Sequence, residues 1–298
     1  MIRFIFSILA VMFTLAPALP AQNERALRVE TADLGKNIYM LRTRAGGNLA
    51  LCVGEEGAIL IDAEYATLND LVRKAVAQIT DKPVIFVINT HWHFDHVEGN
   101  ADFAKTGSRI VAHENVRKRM ATDQRIGILD HDVPASPPEA LPTLVFDEVI
   151  TLFSGDETIT VRHMPHAHTD GDAIVHFQNA NVVHTGDLFF NCGYPFIDAT
   201  NGGNIDGVIA AVEKVLLLCD EKTRIIPGHG PLAKKADLEL YLAMLREFRG
   251  VIAKEMAAGK DLAALLQEKP TADLDEKWGR IFFSPEQFTE MVFLSLSK

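Results

Sequence analysis

An unbroken apolar run, V-I-F-V-I-N, ends at Asn89, and the chain continues T-H-W-H-F-D-H-V-E-G-N. Pro83 opens the run, and apolar character without alternation is what a strand buried on both faces requires. Four ionisable side chains, His91, His93, Asp95 and His96, therefore stand at the end of a core strand. Burying them unpartnered would cost more than a marginally stable fold tolerates. On a helix, residues two apart do not face each other; in an extended or looped segment they share a side. The tract reads as a loop capping the strand, with His91 and His93 converging on one point and Asp95 and His96 on a neighbouring one. Imidazole nitrogen and carboxylate oxygen are the usual ligands of hydrolytic zinc.

A histidine-rich surface loop would predict no comparable residues at later strand ends. Three tracts contradict it: H-A-H-T-D-G-D from His166, H-T-G-D from His184, and I-I-P-G-H-G ending at Gly230. Each sets a histidine or aspartate beside glycine, where backbone can approach closely. The last two directly follow apolar strands.

Periodicity places strands near Ile38 and Leu51 and another ending at Asp62, then a helix over 67–79 with apolar residues at helical spacing. After the histidine cluster come a short helix at 101–104, a strand at 109–112 and a helix at 114–122. Residues 123–148 hold four prolines and little periodicity, and read as a surface excursion or lid. Strands follow at 148–152, 158–162, 173–177 and 181–185, a helix at 205–218, a strand from Arg224 and a long helix from Lys235 to about Ala258. The tail is helical, with Ser284 as cap and Pro285 opening the last helix. Two sheets packed face to face with helices outside satisfy this order; so does a doubly wound sheet.

In this order, H-W-H-F-D-H, H-T-D-G, T-G-D and P-G-H-G resemble the metal motifs of the metallo-β-lactamase-fold hydrolases. The resemblance covers roughly residues 34–232, and A-I-L-I-D at Asp62 is similar to the family's early strand-plus-aspartate. It implies an α/β fold, a four-layer αββα sandwich of two mixed β-sheets with helices on both outer faces, each half giving loops to a site along one edge. It also implies two Zn2+ per chain. His91, His93 and His168 would hold the first, Asp95, His96 and His229 the second, and Asp187 would bridge them. His168 is preferred because it directly precedes Thr169-x-Gly171; His166 is its rival. Asp62 is expected to orient a cluster histidine rather than bind metal. His113, His131, His163, His176 and His184 are read as core or surface histidines, and Cys192 as a buried, inert thiol.

Two zincs about 3.5–4 Å apart share a water and bring its pKa near neutrality, so no serine or cysteine nucleophile is needed. Asp95 would orient the resulting hydroxide and pass a proton to the leaving group. Some β-lactamases of this family carry cysteine where Asp187 stands, and one subclass lacks the bridging aspartate; the aspartate form is more similar to thioesterases and lactonases. Phe190, Tyr194 and Phe196, in the tract after Asp187, are candidates for an apolar wall. The expected activity is hydrolysis of a small ester, thioester, lactone or lactam. The alternatives are a β-lactamase, a mononuclear iron enzyme oxidising a sulfur compound with fewer ligands, and a non-catalytic metal-binding module.

The net charge is −11, becoming −12 if Arg3 is removed, and there is no basic stripe. That argues against a nucleic-acid partner and leaves a small-molecule substrate; composition sets no oligomeric state. Arg3 precedes an apolar run over 4–15, followed by small residues, the layout of a secretory signal peptide. The run is shorter than the roughly 20 residues that span a bilayer, and no cysteine lies there to take a lipid, so no stable membrane anchor is expected. Three widely spaced cysteines make no disulfide framework. The expected division is a signal peptide at 1–21, a hydrolase domain at 22–260, and a helical extension at 261–298 packed on the same domain. The expected location is periplasmic or secreted. Mass spectrometry of the exported protein should find its N-terminus at Leu19 or Gln22, after cleavage at Ala18 or Ala21; a chain still carrying Met1 would refute the export reading.

Overall fold

Period-two burial along short strands separates the apolar residues onto two faces and builds two sheets that pack against each other. The computed structural model describes residues 28–279 and 281–297; the expected signal peptide lies outside the described residues. The first sheet begins with β1 (Glu30–Asp33), β2 (Ile38–Arg42), β3 (Leu49–Val53) and β4 (Ala58–Ile61), paired antiparallel. It continues in parallel through β5 (Val84–Ile88) and β6 (Arg109–His113). A separate hairpin, β7 (Gln124–Ile126) and β8 (His131–Val133), follows, and β9 (Leu144–Phe146) then joins the sheet beside β6. The second sheet runs β10 (Val149–Ser154), β11 (Glu157–His163), β12 (Ala173–Phe177) and β13 (Val182–His184) antiparallel, then β14 (Arg224–Ile226) parallel and β15 (Ala233–Lys234) antiparallel.

One core fills the space between the sheets, where Ile38, Met40, Ile61 and Ile88 meet Ile159, Val175, Phe177 and Ile226. The opposite face of the first sheet, including Leu41, Leu51 and Val87, packs on α1 (Asn69–Ile79) through Val72 and Val76. Adjacent strand residues thus serve different layers, as Val87 and Ile88 do. Three helices follow α1: α2 (Phe94–Val97), α3 (Asn100–Lys105) and α4 (Glu114–Met120). The outer face of the second sheet, with Ile174, Val183 and Ile225, is covered by α5 (Ile205–Leu218) and α6 (Lys235–Ala257). The four layers are those of the expected αββα sandwich.

After α6 come α7 (Leu262–Glu268), α8 (Ala272–Trp278) and α9 (Pro285–Leu296). Leu265, Phe288, Met291 and Val292 are buried in the same core as Tyr241 and Phe248 of α6. Ser284 and Gln287 form a reciprocal capping box at the start of α9. Among the described residues, no helix is long and apolar enough to cross a membrane.

The structure corrects several boundaries. Residues 144–146, read as part of the excursion, form β9, whose register sets Val111 opposite Leu144. A three-residue strand behind Pro142 carries too little periodicity to read, and pairing with β6 is what makes it a strand. The strand ending at Asn89 is only half-buried over Val84–Phe86 and fully buried from Val87. Asp95 and His96 lie on the single turn α2 rather than in irregular loop.

Phe177 is wholly buried between the sheets, so Phe177→Ala should cost about 3–5 kcal/mol. A denaturant titration would show this as a lower midpoint at unchanged slope.

Candidate metal centre

Loops leaving one edge of the sandwich carry the residues of the cluster. His91 and His93 follow β5, and α2 then presents Asp95 and His96. His168 lies in the loop between β11 and β12, Asp187 in the turn after β13, and His229 in the loop after β14. These side chains converge as two sets: His91, His93, His168 and Asp187, and beside them Asp95, His96 and His229. His166, the rival to His168, is exposed and outside both sets.

Asp187 reaches both sets. Its Oδ2 is 3.9 Å from His91 Nε2, 3.6 Å from His168 Nε2 and 3.3 Å from His229 Nε2, and its Oδ1 is 3.2 Å from His96 Nε2. Asp95 Oδ2 lies 3.3 Å from His229 Nε2 and 3.6 Å from His96 Nε2. Donors at 2.0–2.2 Å around a tetrahedral cation are separated from one another by roughly 3.3–3.6 Å, so most of these spacings match neighbouring vertices of a coordination shell.

The hydrogen bonds behind the cluster fix which nitrogen each imidazole offers. His168 Nδ1 donates to the Phe196 carbonyl at 2.8 Å, which leaves Nε2 with a lone pair. His93 Nε2 donates to Asp198 Oδ2 at 3.1 Å, leaving Nδ1 facing His168 Nε2 at 2.9 Å. His96 Nδ1 donates to Asp62 Oδ2 at 2.8 Å. The Thr90 hydroxyl donates to Asp62 at 2.8 Å and accepts from His91 Nδ1 at 3.1 Å. Each of the four rings thereby turns a lone pair inward. His91 Nε2, His96 Nε2 and Asp187 Oδ1 are buried and lack hydrogen-bond partners. Buried polar atoms are rarely left so, and a divalent cation at each set is the partner this donor chemistry fits.

Charge distribution agrees. Burial favours neutral His91 and His168, with neighbouring histidines adding to the effect; His91 falls well below its ordinary pKa and His168 to about 4. Burial would also lower His96 and His229, but Asp187 and Asp95 outweigh it, joined by Asp62 at His96. His96 lies well above its usual value and His229 rises to about 9. Burial opposes ionisation of Asp187, yet the surrounding histidines hold it well below the usual carboxylate range. The carboxylates draw positive charge into the site, as protons where no cation supplies it.

Backbone geometry serves the same end. A Cβ at Gly47 would overlap the His96 ring, and one at Gly228 the Asp187 carboxylate. Asp62 sits at φ +62°, left-handed backbone that costs energy outside glycine and recurs at functional sites. The turn aims its carboxylate at both His96 and Thr90.

The remaining histidines lie outside both sets. His184 is satisfied by the Asn48 carbonyl and the Gly186 amide, and His113 stacks on His163 at 3.6 Å. Burial pushes the half-buried Cys192 thiol up to about 12, too high for a nucleophile.

A cleft of about 180 Å3 opens onto Asp95, Asp187, His93 and His229. Asp95 keeps 13% of its side chain exposed, against 7% for His229 and 4% for Asp187, so it is the acidic group most accessible to an incoming molecule. Phe190 and Phe196 line the cleft as expected. Tyr194 does not: its ring is buried against Phe288 at 4.6 Å, and its hydroxyl donates to Asp275 at 2.8 Å. Ile126 and Leu129 of the 124–133 segment form one wall, and Phe282 and Phe283 from the tail form another.

The model of the metallo-beta-lactamase superfamily matches residues 42–229, well over half of the chain. The chain belongs to that superfamily. Acyl-coenzyme A thioesterase MBLAC2 of Homo sapiens is 25% identical over 229 residues, covering 66% of this chain and 79% of the relative. A hydroxyacylglutathione hydrolase of Polaromonas sp. is 28% identical over 158 residues, 52% of each chain. In fold, the chain is similar to a metallo-beta-lactamase from Pontibacter korlensis, with TM-score 0.60 and 18% identity over 74% of this chain and 99% of that one. It is also similar to the sec-alkylsulfatase Pisa1 from Pseudomonas sp., with TM-score 0.68 and 15% identity over 89% of this chain and 50% of that one. Homologues in this superfamily are hydrolases, typically metal-dependent.

Sequence reasoning missed Asp198, Asn201 and Arg119, which act in series. Asp198 accepts from His93 and, at 2.7 Å, from Asn201 Nδ2. Arg119 donates to Asn201 Oδ1 at 2.9 Å and pairs with Asp170 at 2.7 Å. An aspartate closing an aromatic tract was the available signal, but only folding brings it to His93. Asp198→Ala should free the His93 ring and weaken metal binding by about 10–100-fold. Competition with a chromophoric chelator would measure this, with circular dichroism checking that the fold is kept.

Proposed function

We propose that this protein is an exported two-zinc hydrolase that cleaves a small ester, thioester, lactone or lactam. The observation that carries the reading is the pair of donor sets sharing Asp187, with buried lone pairs aimed inward and no hydrogen-bond partners for three of their atoms. His91, His93 and His168 would hold one cation, Asp95, His96 and His229 the other, and Asp187 both. When bound, such a pair supplies Lewis-acid polarisation of the scissile carbonyl and a water acidified to near neutrality.

The chain's own residues do the rest. Asp95, open to the cleft, takes the proton of the attacking water and returns it to the departing oxygen, sulfur or nitrogen. The water oxygen bonds to the acyl carbon as the bond to the leaving atom breaks, giving an acid and an alcohol, thiol or amine. Phe190 and Phe196 keep bulk water from the reacting carbon. Asp62, Thr90 and Asp198 hold the rings in place so that no reorganisation is needed during the reaction.

The thioester arm draws support from relatives named as an acyl-coenzyme A thioesterase and hydroxyacylglutathione hydrolases. The lactam arm rests on the H-x-H-x-D-H tract and on export, which would place the enzyme where it meets outside molecules. The iron-oxidation alternative would use fewer donors than this site gathers. Export rests on the N-terminal sequence alone.

Asp95→Ala should lower turnover by about 10²–10⁴-fold while the protein stays folded. A hydrolysis screen of the zinc-loaded chain across lactams, lactones, thioesters and phosphodiesters, with metal analysis, tests the reading. Two zincs per chain with acyl hydrolysis support it; activity undiminished in Asp95→Ala, or one iron with sulfur oxidation, sinks it.

A further inference from the structure

Phe282 and Phe283, between α8 and α9, line the mouth of the candidate site. Phe282 stands 5.0 Å from the His229 ring and 5.7 Å from Phe190, centroid to centroid. Phe283 stacks on Phe196 at 5.3 Å, and Phe196 in turn lies 5.3 Å from His93. Two aromatic pairs therefore face each other across the cleft, one ring of each from the tract after Asp187 and one from the tail. This tail segment is held in place: the Tyr194 amide donates to the Trp278 carbonyl at 2.9 Å, and the capping box of α9 begins at its far end.

At the cleft mouth, Phe282 is 48% exposed and Leu129 38%. Core packing does not account for apolar side chains left in water around a cleft mouth, and such patches mark binding surfaces. Apart from Tyr65 and the ligand candidates themselves, the described lining is aromatic or aliphatic and contains no lysine or arginine. Among the described lining residues, none offers a lysine or arginine to pair with a substrate carboxylate or phosphate beside the reacting carbon.

We propose that this cleft selects its substrate by a short, uncharged apolar acyl group seated between the Phe190–Phe282 pair on one side and the Phe196–Phe283 pair on the other. The inference rests on the hydrolase reading above and specifies the substrate class for it. A cavity of 150 Å3 accommodates benzene, so one of about 180 Å3 takes an acyl chain on the order of six carbons. Each methylene entering it should raise kcat/KM by up to about fourfold until the cleft is full. In the thioester case, water oxygen bonds to the acyl carbon, the carbon–sulfur bond breaks, and the thiol leaves with the proton.

The test uses the full-length zinc-loaded protein and N-acetylcysteamine thioesters from acetyl to decanoyl, with thiol release read by absorbance. Wild type should prefer hexanoyl over acetyl by at least tenfold in kcat/KM. Phe282→Ala and Phe283→Ala should each reduce that ratio at least fivefold, and Phe282→Trp should move the optimum toward butyryl. Calorimetric titration with hexanoate and acetate supplies a readout independent of turnover. Hexanoate should bind at least tenfold tighter, and the alanine variants should lose the difference. Hydrolysis with no dependence on acyl length overturns the selectivity proposal and leaves the hydrolase reading intact. Preferential hexanoate binding without hydrolysis of any thioester, ester, lactone or lactam keeps the pocket and overturns the hydrolase. Equal binding of the two acids overturns the pocket.

Discussion

Four imidazole lone pairs and two carboxylates aimed at the same small volume repel one another, and burial removes the water that would screen them. His93 Nδ1 and His168 Nε2 lie 2.9 Å apart with their protons committed elsewhere, so only added positive charge between or beside them lowers the energy. Much of the surrounding architecture follows from that requirement. Each donor must be held against repulsion from its neighbours, so each ring is braced from behind by an acceptor on a strand end or a tight turn: Asp62, Thr90, Asp198 or the Phe196 carbonyl. Asp62 itself is directed by left-handed backbone, a local cost that the sheet around it sustains.

The sandwich explains why so many distant residues meet. Parallel pairing of β4, β5 and β6, and of β13 with β14, sends their C-terminal ends to one edge. The loops leaving those ends carry Asp62, the histidine cluster, Asp187 and His229. The C-terminal ends of these strands are packed between layers, and the loops that carry the candidate donors leave from those buried ends.

The cleft is built differently. Its walls come from the tract after Asp187, the 124–133 segment and the tail. Arg119 and Asn201 tie the second of these to the site: Arg119 donates to Gln124, and Asn201 Nδ2 to the Arg125 carbonyl. The same Asn201 braces Asp198 and, through it, His93. A change in the hairpin is therefore transmitted by hydrogen bonds to a candidate ligand. Walls on loops and ligands on strand ends allow one chemistry to accept different substrates.

The sequence by itself determined the parts that depend on local order. Apolar runs, their lengths and their turn residues marked most strands and the long helices, and α5 matched its expected bounds. The histidine cluster after one strand, the histidines and aspartates beside glycine at later strand ends, and the family resemblance these motifs carry marked the seven candidate ligands. Tertiary structure alone decided what has no such mark. β9 is a strand only because β6 offers it a partner, and Tyr194 left the expected wall because Phe288 gives its ring a buried stacking site. Asp198 reaches His93 across 105 positions, and Phe282 reaches His229 across 53. Residue type and spacing are local properties of a chain, whereas a hydrogen bond or ring contact between remote positions exists only once the sheets have set their ends side by side.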